Sequence, residues 1–187
     1  DDALIEMMTG RRIDALFPKI KQEPSDIALE VIELAANDGS VNGASLTLRR
    51  GEVVGIAGLV GCGKSEVARL IFGLDPKKGG TITLRDGNSI SNPTPRQMLQ
   101  AGVCYFPSDR VREGLALDRP IRENITMAAL DTSKFSLRGL IRGRKERTAA
   151  KTAADQFELR PADVERSVSN LSGGNRQKVM LARGILR

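Results

Sequence analysis

Histidine and tryptophan are absent from this chain, tyrosine occurs once and phenylalanine five times. Without histidine, any mechanism that needs an imidazole base must draw it from outside these residues. With so few aromatics, platforms for stacking nucleic-acid bases are scarce, so no nucleic-acid partner is expected. The only cysteines are Cys62 and Cys104. The first lies in a glycine-rich loop whose backbone a disulfide would disturb, and both are read as free thiols of a reducing compartment. No apolar run approaches the roughly 18 residues that a membrane span needs, and the first residues lack a signal-peptide layout. The expected location is cytoplasmic.

What is present is a chain of 187 residues, 40% apolar, enough for one domain with a sizeable core or a core plus a smaller subdomain. Its net charge of +6 is unevenly spread. Arg138, Arg142, Arg144, Lys145, Arg147 and Lys151 sit close together with Glu146 the one acid among them. A solvated helix face, a lipid- or partner-facing patch and a nucleic-acid patch all fit that cluster.

Residues 1 to 26 read as tail and linker, with a short helical patch at Leu4 to Met8 and punctuation at Gly10, Pro18 and Pro24. Strand-like spacing follows at Ile27 to Leu34 and Ala44 to Leu48, then a continuous apolar run at Val53 to Ala57 that predicts a buried strand. Val67, Ala68, Leu70 and Ile71 have helical spacing, with Gly73 as the stop. Thr81 to Leu84 alternates and ends at the hairpin turn Asp86-Gly87; Asn88 to Pro95 reads as loop, Arg96 to Gln100 as a short helix and Val103 to Phe106 as a strand. Residues 121 to 160 are mainly helical in pattern, with a basic loop near 138 to 145. The mixture predicts an α/β fold: a parallel core, an antiparallel β edge and a separate helical insert.

Gly58-Leu59-Val60-Gly61-Cys62-Gly63-Lys64-Ser65 fits G-x-x-x-x-G-K-[ST] and stands between the expected strand and the expected helix. Glycines let the backbone curl around an anion with its N–H groups inward, while the next helix aims its partly positive N-terminus at the same phosphates. Lys64 can then reach the β/γ-phosphates, and Ser65 can ligate Mg²⁺. A mere glycine-rich turn is the plain alternative.

A second glycine motif, Leu171-Ser172-Gly173-Gly174-Asn175-Arg176-Gln177-Lys178-Val179, opens a helix pattern with Val179, Met180, Ala182 and Ile185. Physically it is another anion-recognising turn: a Ser172 hydroxyl, glycine N–H groups and a helix N-terminus. It closely resembles the LSGGQ signature of ABC-type ATPases, and it lies downstream of a phosphate loop as in that family. Finer likeness comes from Gly51 to Gly58, from Pro107-Ser108-Asp109-Arg110 before Glu113-Gly114-Leu115, and from Ile121-Arg122-Glu123-Asn124-Ile125. These resemble the second ATPase half of monosaccharide importers of the ribose, xylose and galactose type, and Leu4 to Arg11 is similar to the end of their first half.

The resemblance implies a partial ABC ATPase domain over 27–187, with its phosphate loop at 58–65, a helical subdomain at about 121–170 and the signature at 171–179. It implies ATP and Mg²⁺ as cofactors, with Gly58, Leu59, Val60, Gly61, Cys62, Gly63, Lys64, Ser65 and Glu66 around the nucleotide, Lys64 catalytic and Ser65 on the metal. Leu171, Ser172, Gly173, Gly174, Asn175 and Gln177 would cover the ATP of a second ATPase domain met head to tail, within the same polypeptide. An integral membrane permease and, indirectly, a periplasmic sugar-binding protein complete the implied assembly, on the inner face of the cell membrane.

The sequence also departs from that pattern. The glutamine that family members use near Mg²⁺ has no counterpart, since Phe106 leads into Pro107-Ser108-Asp109-Arg110; the sugar-importer second half tends to have an acidic residue near Ser108, so even that relation is imperfect. No Tyr or Phe lies in Ala35 to Ser45, where the family often stacks an aromatic on adenine. The family's Asp-Glu pair and switch histidine follow the signature helix, beyond Arg187, so these residues are expected to be a piece that lacks them and turns over no ATP alone. A noncatalytic regulatory half, of a sugar or nucleoside importer, and a soluble ABC ATPase acting on ribosomes or nucleic acid are the competing functions.

Overall fold

The computed structural model describes residues 23–187. The expected helical patch and linker at 1–22, and the likeness of Leu4 to Arg11 to the end of a first ATPase half, lie outside the described residues. Strand β1 (Ile27–Ala36) pairs antiparallel with β2 (Ala44–Arg49) on one side and with β3 (Lys77–Leu84) on the other. The short β4 (Ser89–Ile90) extends the order to β2-β1-β3-β4. Thus Asn88 to Pro95, expected as loop, contributes a strand, because the Asp86-Gly87 turn returns Ser89 opposite Thr83. The register of β1 slips around Glu33, which adopts φ 52, and β3 closes on that bulge. A Cβ at Gly80 would lie 2.6 Å from the Glu33 carbonyl oxygen, so only glycine lets the strands meet there.

One face of this sheet is covered by α1 (Lys64–Phe72), whose Val67, Leu70 and Ile71 lie at helical spacing against Val31, Leu34 and Ile82. Leu34, Leu70 and Ile82 are almost fully buried, each contributing about 2 kcal/mol by area removed from water. Gly73, in the left-handed conformation, ends the helix as expected and donates to the Leu70 carbonyl. Helix α2 (Pro95–Gln100) starts from a Thr94–Gln97 capping box and sends Met98 into the same core.

The second buried cluster belongs to the helical insert. Helices α3 (Ile121–Thr126), α4 (Gly143–Gln156) and α5 (Gly173–Ile185) pack Ile121, Ile125, Ala150, Ala153, Val168, Val179 and Met180 together. Alanines on α4 let the backbones approach closely. Asn124, fully buried, accepts from the Ala116 N–H at 2.9 Å and donates back to the Ala116 carbonyl, pinning the loop before α3. The basic loop expected near 138 to 145 is a hairpin of β5 (Ser136–Leu137) and β6 (Leu140–Ile141), after which α4 has already begun.

The parallel core is where expectation and structure part. Val53 to Ala57 and Val103 to Phe106 form no strand, and among the described residues every ladder is antiparallel. Val53 is 83% exposed. Parallel strands with two apolar faces hold only between neighbours on both sides, and no described strand pairs with either segment. The α/β mixture itself is present: an antiparallel sheet backed by α1, and a helical lobe.

Candidate nucleotide-binding site

The phosphate loop sits at the N-terminus of α1, on the edge of the first cluster. Gly61 and Gly63 take φ 82 and 89, turning the chain back so that α1 starts at Lys64. A Cβ on Gly63 would come within 2.5 Å of the Ser40 carbonyl, and one on Gly58 would run into the Cys62 sulfur. The loop therefore depends on glycine at both points. Its neighbour is the β1–β2 turn, where Asp38 accepts from the N–H and the hydroxyl of Ser40, at 3.0 and 2.7 Å. Those bonds, the hydroxyl's first, hold the Asp38 carboxyl below its usual range.

Lys64 folds over its own loop. Its ammonium donates to the carbonyls of Gly58 and Leu59, both at 2.7 Å, and lies 3.4 Å from the Cys62 sulfur. The N–H groups of Lys64, Ser65 and Glu66 open the helix and have no intrahelical acceptor. Ser65 is exposed. Leu59, Val60, Gly61 and Cys62 form the exposed crest of the loop. Free amides, a helix N-terminus and a lysine within reach of one another are the donor set for a polyphosphate. For Mg²⁺ the protein would supply the Ser65 hydroxyl alone, the phosphates providing other oxygens; among the described residues no cluster of His, Cys, Asp or Glu could hold a metal by itself. In Ala35 to Ser45, which holds no aromatic, Val41 is buried beside Gly63.

The signature lies in the other cluster, at the start of α5. Ser172 caps this helix, its hydroxyl accepting from the Asn175 N–H at 3.4 Å and from the Asn175 amide at 3.1 Å. The Asn175 side-chain oxygen in turn takes the Arg160 N–H. Leu171 is buried as an anchor, whereas Ser172, Gly173 and Gly174 are exposed. Gln177 accepts from Arg110 at 3.3 Å. The two motifs thus share the chain but not a core.

A cleft of about 620 Å³ lies between the two lobes, walled by Phe72, Leu74, Tyr105, Phe106, Met127 and Arg183. Phe72 and Tyr105 stack with centroids 5.6 Å apart. Arg183 donates to the Asn124 carbonyl at 2.8 Å while its Nη2 has no partner; burial pulls its pKa down. Burial likewise raises the Cys104 thiol in the wall. Near the missing glutamine, Asp109 is a cap, accepting from the N–H groups of Val111 and Arg112 at 3.1 and 3.0 Å. The cleft is not legible in the sequence because its walls come from segments far apart in the chain, from Phe72 to Arg183.

A loop, a capped second anion turn and a two-lobed α/β body define an ATP-binding cassette, and comparison with known proteins agrees. The ABC transporter family model matches residues 41–187. The chain belongs to the ABC transporter family. It is 38% identical over 182 residues to the ribose import ATP-binding protein RbsA 3 of Rhizobium meliloti (strain 1021), covering 97% of this chain and 36% of that protein. Its namesake in Rhizobium etli (strain ATCC 51251 / DSM 11541 / JCM 21823 / NBRC 15573 / CFN 42) is 39% identical, with 97% and 35% covered. The chain thus spans about a third of the length of these relatives. Among solved structures, a dimeric ATP-binding cassette in a post-hydrolysis state with ADP and Pi superimposes with a TM-score of 0.66 at 21% identity, over 84% of this chain and 69% of that one. An ADP-bound cassette of an ABC transporter gives 0.62 at 18%, over 87% and 65%. These two show the shared fold. No described helix is long and apolar enough to cross a membrane.

Proposed function

We propose that this chain is the ATP-binding part of the motor that drives import of a simple sugar through a membrane permease, and that the assembled protein hydrolyses ATP. The observation that carries this reading is the phosphate loop at the start of α1, with the Lys64 ammonium folded back onto the loop carbonyls of Gly58 and Leu59. An arriving ATP offers Lys64 better acceptors than the carbonyls of Gly58 and Leu59, so the ammonium moves onto the β/γ-phosphates. The amides from Gly61 to Glu66 then bind the phosphate oxygens. Mg²⁺, held by Ser65 and the nucleotide, would neutralise charge on the γ-phosphate.

The exposed Ser172-Gly173-Gly174 turn stands on the lobe away from that loop, which suits service to the ATP of a second ATPase domain facing it head to tail. That domain is assigned to the same polypeptide, on its N-terminal side, with residues 1–26 as the link and 27–187 as this half. The interlobe cleft offers an apolar seat for a permease segment. The sugar class follows the ribose-import relatives, and the site of action is the inner face of the cell membrane.

A second reading, a regulatory half that holds ATP without hydrolysing it, is favoured by Asp109, whose carboxylate caps a turn where the family has a free glutamine side chain. One experiment separates them. Lys64→Ala is placed in the intact importer, and ATP-driven sugar uptake into vesicles is followed. The motor reading expects uptake to fall to background; a retained maximal rate with altered nucleotide dependence supports the regulatory half, and unchanged uptake overturns both.

A further inference from the structure

The β5–β6 hairpin belongs to neither glycine turn, yet Leu137, Leu140 and Ile141 on it are exposed. From Thr132 to Lys145 the chain carries Lys134, Arg138, Arg142, Arg144 and Lys145 and no acid. Glu146, the acid that the sequence sets beside them, is 3% exposed and turned inward, bound to Arg122 and to the Thr126 hydroxyl. Arg147 is paired with Glu165 at 2.8 Å and stands outside the patch. The positive charge is therefore uncompensated at the surface.

The same hairpin is apolar where it is exposed. Arg138 and Gly139, with φ 51 and 82, make a two-residue turn between the paired Leu137 and Leu140. Opposed residues share a face and successive ones alternate, so Leu137 and Leu140 point to one side and Ile141, opposite Ser136, to the other. Their exposures are 54%, 75% and 57%. The base is held firmly: Phe135 is fully buried, its carbonyl takes the Arg142 N–H at 2.8 Å, and the Arg142 guanidinium reaches the Ser133 carbonyl.

A protein partner covers one face of a ribbon, whereas a lipid interface surrounds a tip on every side. Apolar side chains on both faces of a fixed tip, ringed by cations whose stems can lie along acyl chains, suit the second. Beside the hairpin runs an open, largely apolar groove of about 630 Å³ whose lining includes Lys134, Arg144 and Lys145, ammonium and guanidinium donors that suit a phosphate headgroup.

We infer that the hairpin is a membrane-contact element: Leu137, Leu140 and Ile141 enter the interface of an anionic bilayer while Arg138, Arg142, Arg144 and the flanking lysines bind its phosphates. This goes beyond sugar import, since the contact is with lipid rather than with a permease and needs no nucleotide.

The test is sedimentation of the 187-residue chain with vesicles of phosphatidylcholine alone, and of phosphatidylcholine and phosphatidylglycerol in equal parts, at low salt. The chain should bind the mixed vesicles and leave the zwitterionic ones. Combining Arg138→Gln, Arg144→Gln and Lys145→Gln should weaken partition about a hundredfold, at roughly fivefold per cation. Combining Leu140→Ser and Ile141→Ser should remove the binding that survives high salt. All five side chains are exposed, and an unchanged circular dichroism spectrum verifies folding. No sedimentation by wild type, equal binding to both vesicles, or full binding by either variant overturns the inference. So does polyglutamate that binds the chain regardless of Leu140 and Ile141, which identifies an acidic protein partner instead. ATP affinity, measured in parallel, fails or holds independently and reports on the phosphate loop alone.

Discussion

Arg69 grips Asp75 with two bonds, Nε to Oδ2 at 2.6 Å and Nη2 to Oδ1 at 3.0 Å, and its remaining arm reaches Glu113 at 3.0 Å. One guanidinium thereby ties the end of α1 to the lead into β3 and to the turn beside the interlobe cleft. The bond to Arg69 holds the Asp75 carboxyl below its ordinary range, and the same bond raises the Arg69 pKa.

A carboxyl with a depressed folded-state pKa adds stability above its unfolded value, and that stability is lost as pH falls through the folded one. Resistance to denaturant should therefore fall as pH drops below about 4, and Asp75→Asn should flatten that part of the profile while lowering stability at neutral pH. The amplitude is modest because both groups are partly exposed and screened. Identical pH profiles for the two proteins would contradict the role of this pair.

Glu146 presents the opposite case, a carboxylate packed between α3 and α4 and bound by Arg122 and Thr126. Glu146→Ala removes one partner of a buried ion pair and should cost about 3–5 kcal/mol, reduced where Arg122 keeps Glu165. Chemical denaturation of the two chains measures it.

Gly63→Ala places a Cβ against the Ser40 carbonyl at a left-handed position. The conformation alone costs about 1–2 kcal/mol, and the loop must also shift away from the β1–β2 turn. ATP affinity should drop by more than the stability does, which calorimetry and denaturation on the same sample will separate.

Ser172→Arg should spare nucleotide binding to this chain, since Ser172 caps the helix of the other lobe. In the assembled protein it should block ATP turnover by filling the facing site. Weakened ATP binding by the isolated chain, with normal turnover of the assembly, would show that the signature serves its own loop.

The local chemistry of this fold was legible in the sequence. Gly73 stops α1 and Asp86-Gly87 turns a hairpin, each through residues adjacent in the chain. Val53 to Ala57 has the apolar run of a strand yet forms none, because such a run records what a segment can bury, while a ladder depends on distant neighbours that the run does not encode. Glu146 looked like one more surface charge among lysines and arginines; its burial depends on Arg122, 24 positions away. The interlobe cleft was invisible for the same reason, since Phe72, Tyr105 and Arg183 meet only after both lobes form.

The most direct measurement is a calorimetric titration of MgATP into the 187-residue chain and into its Lys64→Ala form, each with its denaturation midpoint determined. A charge-assisted bond of about 1.5–3 kcal/mol corresponds to roughly a 10- to 100-fold change in affinity. The account predicts saturable binding by the wild type, a loss of at least that size in the variant and closely similar midpoints. Equal ATP affinity in a variant that is demonstrably folded would contradict the assignment of Gly58 to Ser65 as the nucleotide site.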